Sequence, residues 1–156
     1  MSNIDLSLLA KPFQPREINF RVGAMTKDKT KAIALGYLDA RDVMVRLDAV
    51  AGLPNWQCRY EHISDTKTCC SIAIRIGDDW VWKSNGAGDS DIEAEKGAFS
   101  DAFKRAAVLW GIGRYLYSMP NKWYAIDEWK KFTPDSVKQI KSDYVSWAIS
   151  LNKPEQ

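Results

Sequence analysis

Between Lys67 and Ser84 the chain alternates: Ile72, Ile74 and Ile76 are separated by Ala73 and Arg75, and after Gly86-Ala87-Gly88 the apolar spacing lengthens to that of a helix. A period of two puts every second side chain on one face of a strand, and a period near 3.6 puts every third or fourth on one side of a helix. In succession they restrict the chain to a sheet with one buried face and a long helix to cover it. Trp56–Ile63, Lys67–Ile76 and Trp80–Ser84 are the predicted strands, joined near Ser64-Asp65 and by a tight turn at Gly77-Asp78-Asp79. Such short links favour an antiparallel order. The expected class is α+β, an antiparallel β-meander packed against a long α-helix.

Three helices are predicted around this unit. Ala40–Val50 carries Val43, Leu47 and Val50 at helical spacing and stops at Gly52-Leu53-Pro54. The long helix starts at the capping box Ser90-Asp91-Ile92-Glu93, where a hydroxyl and a carboxylate satisfy free helix donors, and runs to about Trp110 before Gly111 and Gly113 break it. Its expected core stripe is Ile92, Phe99, Phe103, Ala106 and Trp110. A last helix, residues 133–152, begins at Thr133 with Pro134 in its first turn and sets Val137, Ile140, Tyr144, Trp147 and Leu151 on one face. Residues 1–20, with Pro12 and Pro15, read as an N-terminal arm that docks on the body or on a neighbouring copy. The stretch Arg114 to Phe132 is aromatic and basic and reads as extended chain or short helix.

Length and composition fix the class further. The chain has 156 residues, the size of one domain, and its 46% hydrophobic and 27% charged residues exclude a disordered polymer. No apolar run approaches the ~20 residues of a membrane span. The N-terminus, Met1-Ser2-Asn3-Ile4-Asp5, has no basic region or apolar run, so a cytoplasmic location and no membrane partner are expected. Cys58, Cys69 and Cys70 are too few and too close for a disulfide framework, and reduced thiols are expected. A net charge of +2 gives no global pull on a polyanion, so a nucleic-acid site has to arise from local arrangement.

Three constellations bear on chemistry. Asp89, Asp91, Glu93 and Glu95 crowd the start of the long helix, and clustered carboxylates can hold Mg²⁺ for phosphodiester cleavage. Carboxylates there also complement the helix dipole, and no positioned general base accompanies them, which makes a nuclease the weaker reading. Cys58, His62, Cys69 and Cys70 lack the spacing of paired zinc knuckles and would alternate faces on a hairpin, so neither a metal site nor a cysteine nucleophile is expected. The third constellation is basic. Lys104 and Arg105 fall roughly 140° and 240° around the wheel from Phe99, outside the core stripe. A solvated Lys-Arg pair is ordinary, but Ala94, Gly97 and Val108 make the same outer arc small and partly apolar, as a face close to a ligand or another subunit would be. Arg21 and the loop lysines Lys27, Lys29 and Lys31 could extend one positive strip, binding consecutive phosphates without reading bases.

With these residues in view, the chain resembles the Rad52 family of single-strand annealing proteins, particularly its short phage and bacterial members. The resemblance is carried by Gly86-Ala87-Gly88, by the run Glu95-Lys96-Gly97-Ala98-Phe99-Ser100-Asp101-Ala102-Phe103-Lys104-Arg105-Ala106-Ala107, and by Trp110-Gly111-Ile112-Gly113-Arg114-Tyr115-Leu116-Tyr117. Upstream, Tyr37 to Val43 and Leu47 to Gly52, followed by Asn55-Trp56, resemble the family's first helix and its entry into the sheet, so the likeness spans about residues 17–126.

The resemblance implies that Lys104 and Arg105 contact the DNA backbone and that Arg21 joins them in an inner groove. It implies an annealing-core fold assembling into a ring or helical oligomer, with single-stranded DNA and its complementary strand as partners and no catalysis. Arg114 is counted with the DNA-binding cations, and Lys67 is a weak candidate for an outer site. Two departures make that outer site doubtful: acidic Asp89-Ser90-Asp91 stands where eukaryotic members carry a basic insertion, and Val108 replaces a later arginine. Tyr115, Tyr117 and Trp123 either stack on bases or pack between subunits. No Gly-x-x-x-x-Gly-Lys-Ser/Thr loop is present, so no nucleotide or other cofactor is expected. A passive single-strand-binding module and the Mg²⁺-dependent nuclease remain as alternatives to ATP-independent annealing.

Overall fold

A computed structural model describes residues 4–87 and 94–151, without the side chains of 94–96. The chain forms two compact units, one of residues 1–11 and 38–115 and the other of residues 12–37 and 116–156.

The first unit is built on the meander. Strands β3 (Trp56–Ser64), β4 (Lys67–Ile76) and β5 (Asp79–Ala87) lie side by side in that order, antiparallel. The register pairs Tyr60 with Cys70 and Ile72 with Lys83. Alternation then puts Trp56, Tyr60, Cys70, Ile72 and Ile74 on one face and Arg59, Arg75, Trp80 and Trp82 on the other. Strand β5 is longer at both ends than the expected Trp80–Ser84, because ladder pairing carries through Asn85, Gly86 and Ala87.

Helix α1 (Ala40–Val50) has the expected limits, with the Asp39 carboxylate accepting from the Arg41 N–H over 2.8 Å at its start. Helix α2 (Ala94–Leu109 of the described residues) covers the inner face of the meander. Its buried residues are Ala102, Phe103, Ala106 and Ala107, whereas Phe99 is 47% exposed and Trp110 half-buried, so the expected stripe is displaced. Small side chains let the helix approach the sheet closely. Phe99 meets the edge strand instead, with its ring 5.0 Å from that of Tyr60 and 5.8 Å from that of His62.

Past α2 the chain turns through Gly111 (φ 96°) and Gly113 (φ 74°). A Cβ on Gly113 would come within 2.8 Å of Leu38 Cδ1, so both conformation and space require glycine there. The N-terminal residues Leu6–Ala10 form a short 3₁₀ turn against α1. Leu9 is fully buried, and the Arg46 guanidinium donates to the carbonyls of Leu8, Leu9 and Lys11.

The second unit has its own sheet, order β1 (Ile18–Met25), β2 (Lys31–Leu38), β6 (Trp123–Ala125), and helix α3 (Pro134–Leu151). Phe13, Ile18, Ala32, Ala34, Ile140 and Tyr144 are buried, and the Tyr144 hydroxyl donates to the Phe13 carbonyl. The buried line of α3 is Ser136, Ile140, Tyr144 and Ala148. Of the expected face, Val137 and Leu151 are more than one-third exposed and Trp147 is half-buried. Ser136 takes the core position because its hydroxyl donates to the Ala125 carbonyl at the end of β6, 2.8 Å away. Among the described residues no helix is long and apolar enough to cross a membrane.

Candidate nucleic-acid interface

Five of the eight predicted DNA-binding cations are lysines, and the structure sorts all eight by unit. Lys104 and Arg105 project from α2 in the first unit, outside the buried stripe of that helix. Lys104 is half-buried, and its charge is one of the smaller causes, after the bonds from Arg41, that hold the Asp39 carboxyl below its ordinary pKa. Arg105 is exposed; its Nε donates to Asp101 Oδ2 over 3.1 Å, one helical turn back. An exposed pair of this kind is weak and exchangeable, so a phosphate can replace the carboxylate. Among the described residues nothing lies within 4 Å of a Cβ placed on Gly97, and Val108 on the same outer arc is half-buried.

Arg114 closes the end of α2, donating from Nε to the Val108 carbonyl (3.0 Å) and from Nη2 to the Leu109 carbonyl (2.9 Å). That is the capping role a cation takes at a helix C-terminus. Lys67 is exposed at the β3–β4 hairpin, paired with Ser64.

In the second unit Arg21 is exposed on β1, Lys27 and Lys29 lie in the turn between β1 and β2, and Lys31 is the first residue of β2. Lys29 adopts a left-handed backbone, φ 58°. Of the aromatic candidates, Tyr115 is half-buried, while Tyr117 and Trp123 are 77% and 52% exposed.

Two groups of basic and aromatic residues are brought together only by the fold, although Trp129 and Lys130 belong to the aromatic and basic stretch Arg114 to Phe132. On the outer face of the meander the Arg59 guanidinium lies 4.0 Å from the centre of the Trp82 ring, and that of Arg75 5.9 Å from the Trp80 ring. The spacing of Trp80 and Trp82, two apart on one strand, signals a shared face, but the arginines opposite them are set only by register. In the second unit Lys130 and Trp129 stand beside the turn that holds Lys27 and Lys29. Their separation in the chain hides this.

The capping box Ser90–Glu93 and the carboxylates Asp89, Asp91 and Glu93 lie outside the described residues, as does the Glu95 side chain. Among the described residues no three His, Cys, Asp or Glu side chains are placed to share a metal ion. All three cysteines are free, and burial pushes the Cys70 thiol up to about 12, away from the reactive thiolate.

Comparison with known proteins gives one concordant family. The family described as Rad52/22 family double-strand break repair protein matches residues 4–132. The single-stranded DNA-binding protein DdrA of Deinococcus deserti is 36% identical over 126 residues, covering 79% of this chain and 61% of that protein. The protein of the same name from Deinococcus radiodurans is 34% identical over 122 residues, covering 77% of this chain and 58% of the relative. The chain thus spans about three-fifths of the length of these curated relatives.

Proposed function

Because the chain belongs to the Rad52/22 family of double-strand break repair proteins, we propose that it binds single-stranded DNA by its phosphates and promotes pairing of complementary strands, without ATP and without catalysis. The observation that carries this reading is the placement of Lys104 and Arg105 on α2, outside the Ala102-Phe103-Ala106-Ala107 stripe that packs the helix onto the meander. Packing holds the helix by that stripe, and the two cations stand on the part of it that does not pack against the meander. Arg21, Lys27, Lys29 and Lys31 supply further phosphate contacts, Arg114 adds its remaining nitrogen, and Lys67 contributes at most peripherally. Tyr115, Tyr117 and Trp123 serve stacking or subunit packing.

Contacts to phosphate alone leave the base edges free, which pairing requires. A net charge of +2 is too small for one copy to hold a strand well, so affinity comes from repetition of the site in a ring or helical oligomer. Assembly is supported by surface left uncovered on the first unit: Val45, Leu53 and Ile63 are each more than 60% exposed, and β3 and β5 are edge strands. The setting is DNA repair in a bacterial or phage-infected cytoplasm.

The names of the two relatives favour a second reading, passive single-strand binding. Mixing two complementary labelled oligonucleotides with the protein, without ATP and with either Mg²⁺ or EDTA, separates the readings. Faster duplex formation in both buffers supports annealing, and protection without pairing supports passive binding. Mg²⁺-dependent shortening of the strands would overturn both in favour of a nuclease.

A further inference from the structure

Two turns distant in the chain meet at one end of the second unit's sheet. The register pairs Lys31 with Ala125, and just beyond it the Ile126 N–H donates to the Thr30 carbonyl over 2.9 Å. This sets residues 26–30 beside residues 127–131.

The two turns are built alike. In the first, Asp28 accepts from the Thr26 hydroxyl (2.7 Å), the Thr30 N–H (3.1 Å) and the Thr30 hydroxyl (2.8 Å). In the second, Asp127 accepts from the N–H groups of Trp129 (2.9 Å) and Lys131 (3.0 Å). Each carboxylate is spent on its own loop. Each turn also holds a lysine in the left-handed region, Lys29 at φ 58° and Lys130 at φ 61°. Glycine or asparagine adopts that conformation more cheaply, so backbone geometry alone gives no reason for lysine at either place.

The pairing of the two turns puts Lys29 beside Lys130, and the Lys29 ammonium lowers the pKa of Lys130. Among the described residues neither has an acidic partner at salt-bridge distance. Like charges held together with no counterion leave a place for an anion. Lys27, Lys31 and Lys131 are exposed on or beside the same two turns, and Trp129 presents a ring that is 72% exposed.

We propose that these paired turns form a separate phosphodiester site, in which Lys29 and Lys130 hold one phosphate of a single strand from two sides and Trp129 stacks on a neighbouring base. An exposed indole beside cations fits a polymer that carries both a phosphate and a π-face at each repeat. The inference rests on the reading of the chain as a single-strand-binding protein and adds to it Lys130, Trp129 and their joint action with Lys29.

Fluorescence anisotropy of labelled oligo-dT over a KCl series tests it on the full chain. The variant K29N/K130N removes both charges while asparagine keeps the left-handed turns, and circular dichroism confirms the fold. It is expected to bind several-fold more weakly at low salt, with a log K against log[salt] slope shallower by about 0.7, the loss of one phosphate contact. K29R/K130R should restore both. Trp129→Ala should weaken binding to oligo-dT and spare binding to a base-free deoxyribose-phosphate oligomer. An unchanged slope in folded K29N/K130N, or an effect no larger than that of the α3 surface variant Lys138→Asn, overturns the site even if Lys104→Ala with Arg105→Ala weakens binding. Failure of the unaltered protein to bind oligo-dT at low salt would overturn the functional reading as well.

Discussion

Trp110 donates its indole N–H to the backbone carbonyl of Ile72 across 3.0 Å, joining the residue after α2 to the central strand of the meander. The same ring lies 4.7 Å from the Lys83 ammonium, which itself donates to the Leu109 carbonyl. The position of the helix on the sheet is thereby fixed at its C-terminal end, and with it the direction in which Lys104 and Arg105 leave the surface. Replacement of Trp110 by Phe keeps an aromatic ring and removes the donor. It should cost about 1–2 kcal/mol and lower Tm by about 2–4 °C for each kcal/mol. Thermal melting followed by circular dichroism checks this, and a melting curve equal to the parent's would show that the bond contributes nothing.

Asp143 on α3 accepts from the Tyr124 hydroxyl (2.7 Å) and from Gln139 (2.8 Å), with the Lys122 ammonium 3.8 Å away. These contacts, the Tyr124 bond foremost, hold its carboxyl below the ordinary aspartate pKa. A folded-state value below the unfolded one means that the unfolded chain binds the proton more readily. The resulting stability is complete above the unfolded pKa of about 4 and is lost as pH falls through the folded value. Asp143→Asn should therefore be less stable than the parent at pH 7, and the difference should shrink progressively below pH 4. A difference constant from pH 7 to pH 3 would contradict the assignment.

Leu53 and Ile63 are 71% and 65% exposed on the first unit. If copies of the chain cover this surface, L53E/I63E should lower the molar mass measured by light scattering. Because each copy contributes few cations, the same variant should bind a long single strand at least ten-fold more weakly, by loss of effective concentration. An unaltered mass, or a smaller assembly with full affinity, would separate binding from assembly.

Much of the first unit was legible because its signals are local. The spacing of Val43, Leu47 and Val50 and the stop at Gly52 marked α1, and the isoleucine alternation marked β4. The face of α2 was harder to read. The large rings Phe99 and Trp110 drew the expected stripe toward themselves, whereas close approach to the sheet selects Ala102, Ala106 and Ala107. Strand β2 escaped notice because Ala32-Ile33-Ala34-Leu35 is apolar on both faces and shows no contrast between them. The three residues of β6 are too few to carry a period, and only pairing with Lys31, Ala32 and Ile33 makes them a strand. For the same reason the sequence named Lys29 and Lys130 as basic but could not bring them together.

The central claim is that Lys104 and Arg105 neutralise phosphates of a single strand. The salt dependence of oligo-dT affinity tests it most directly, compared between the parent and Lys104→Ala with Arg105→Ala. The account predicts an unchanged fold and assembly, weaker binding, and a slope shallower by about 1.4, near 0.7 for each lost contact on a single strand. Equal affinity and equal slope in a folded, correctly assembled double variant would contradict it.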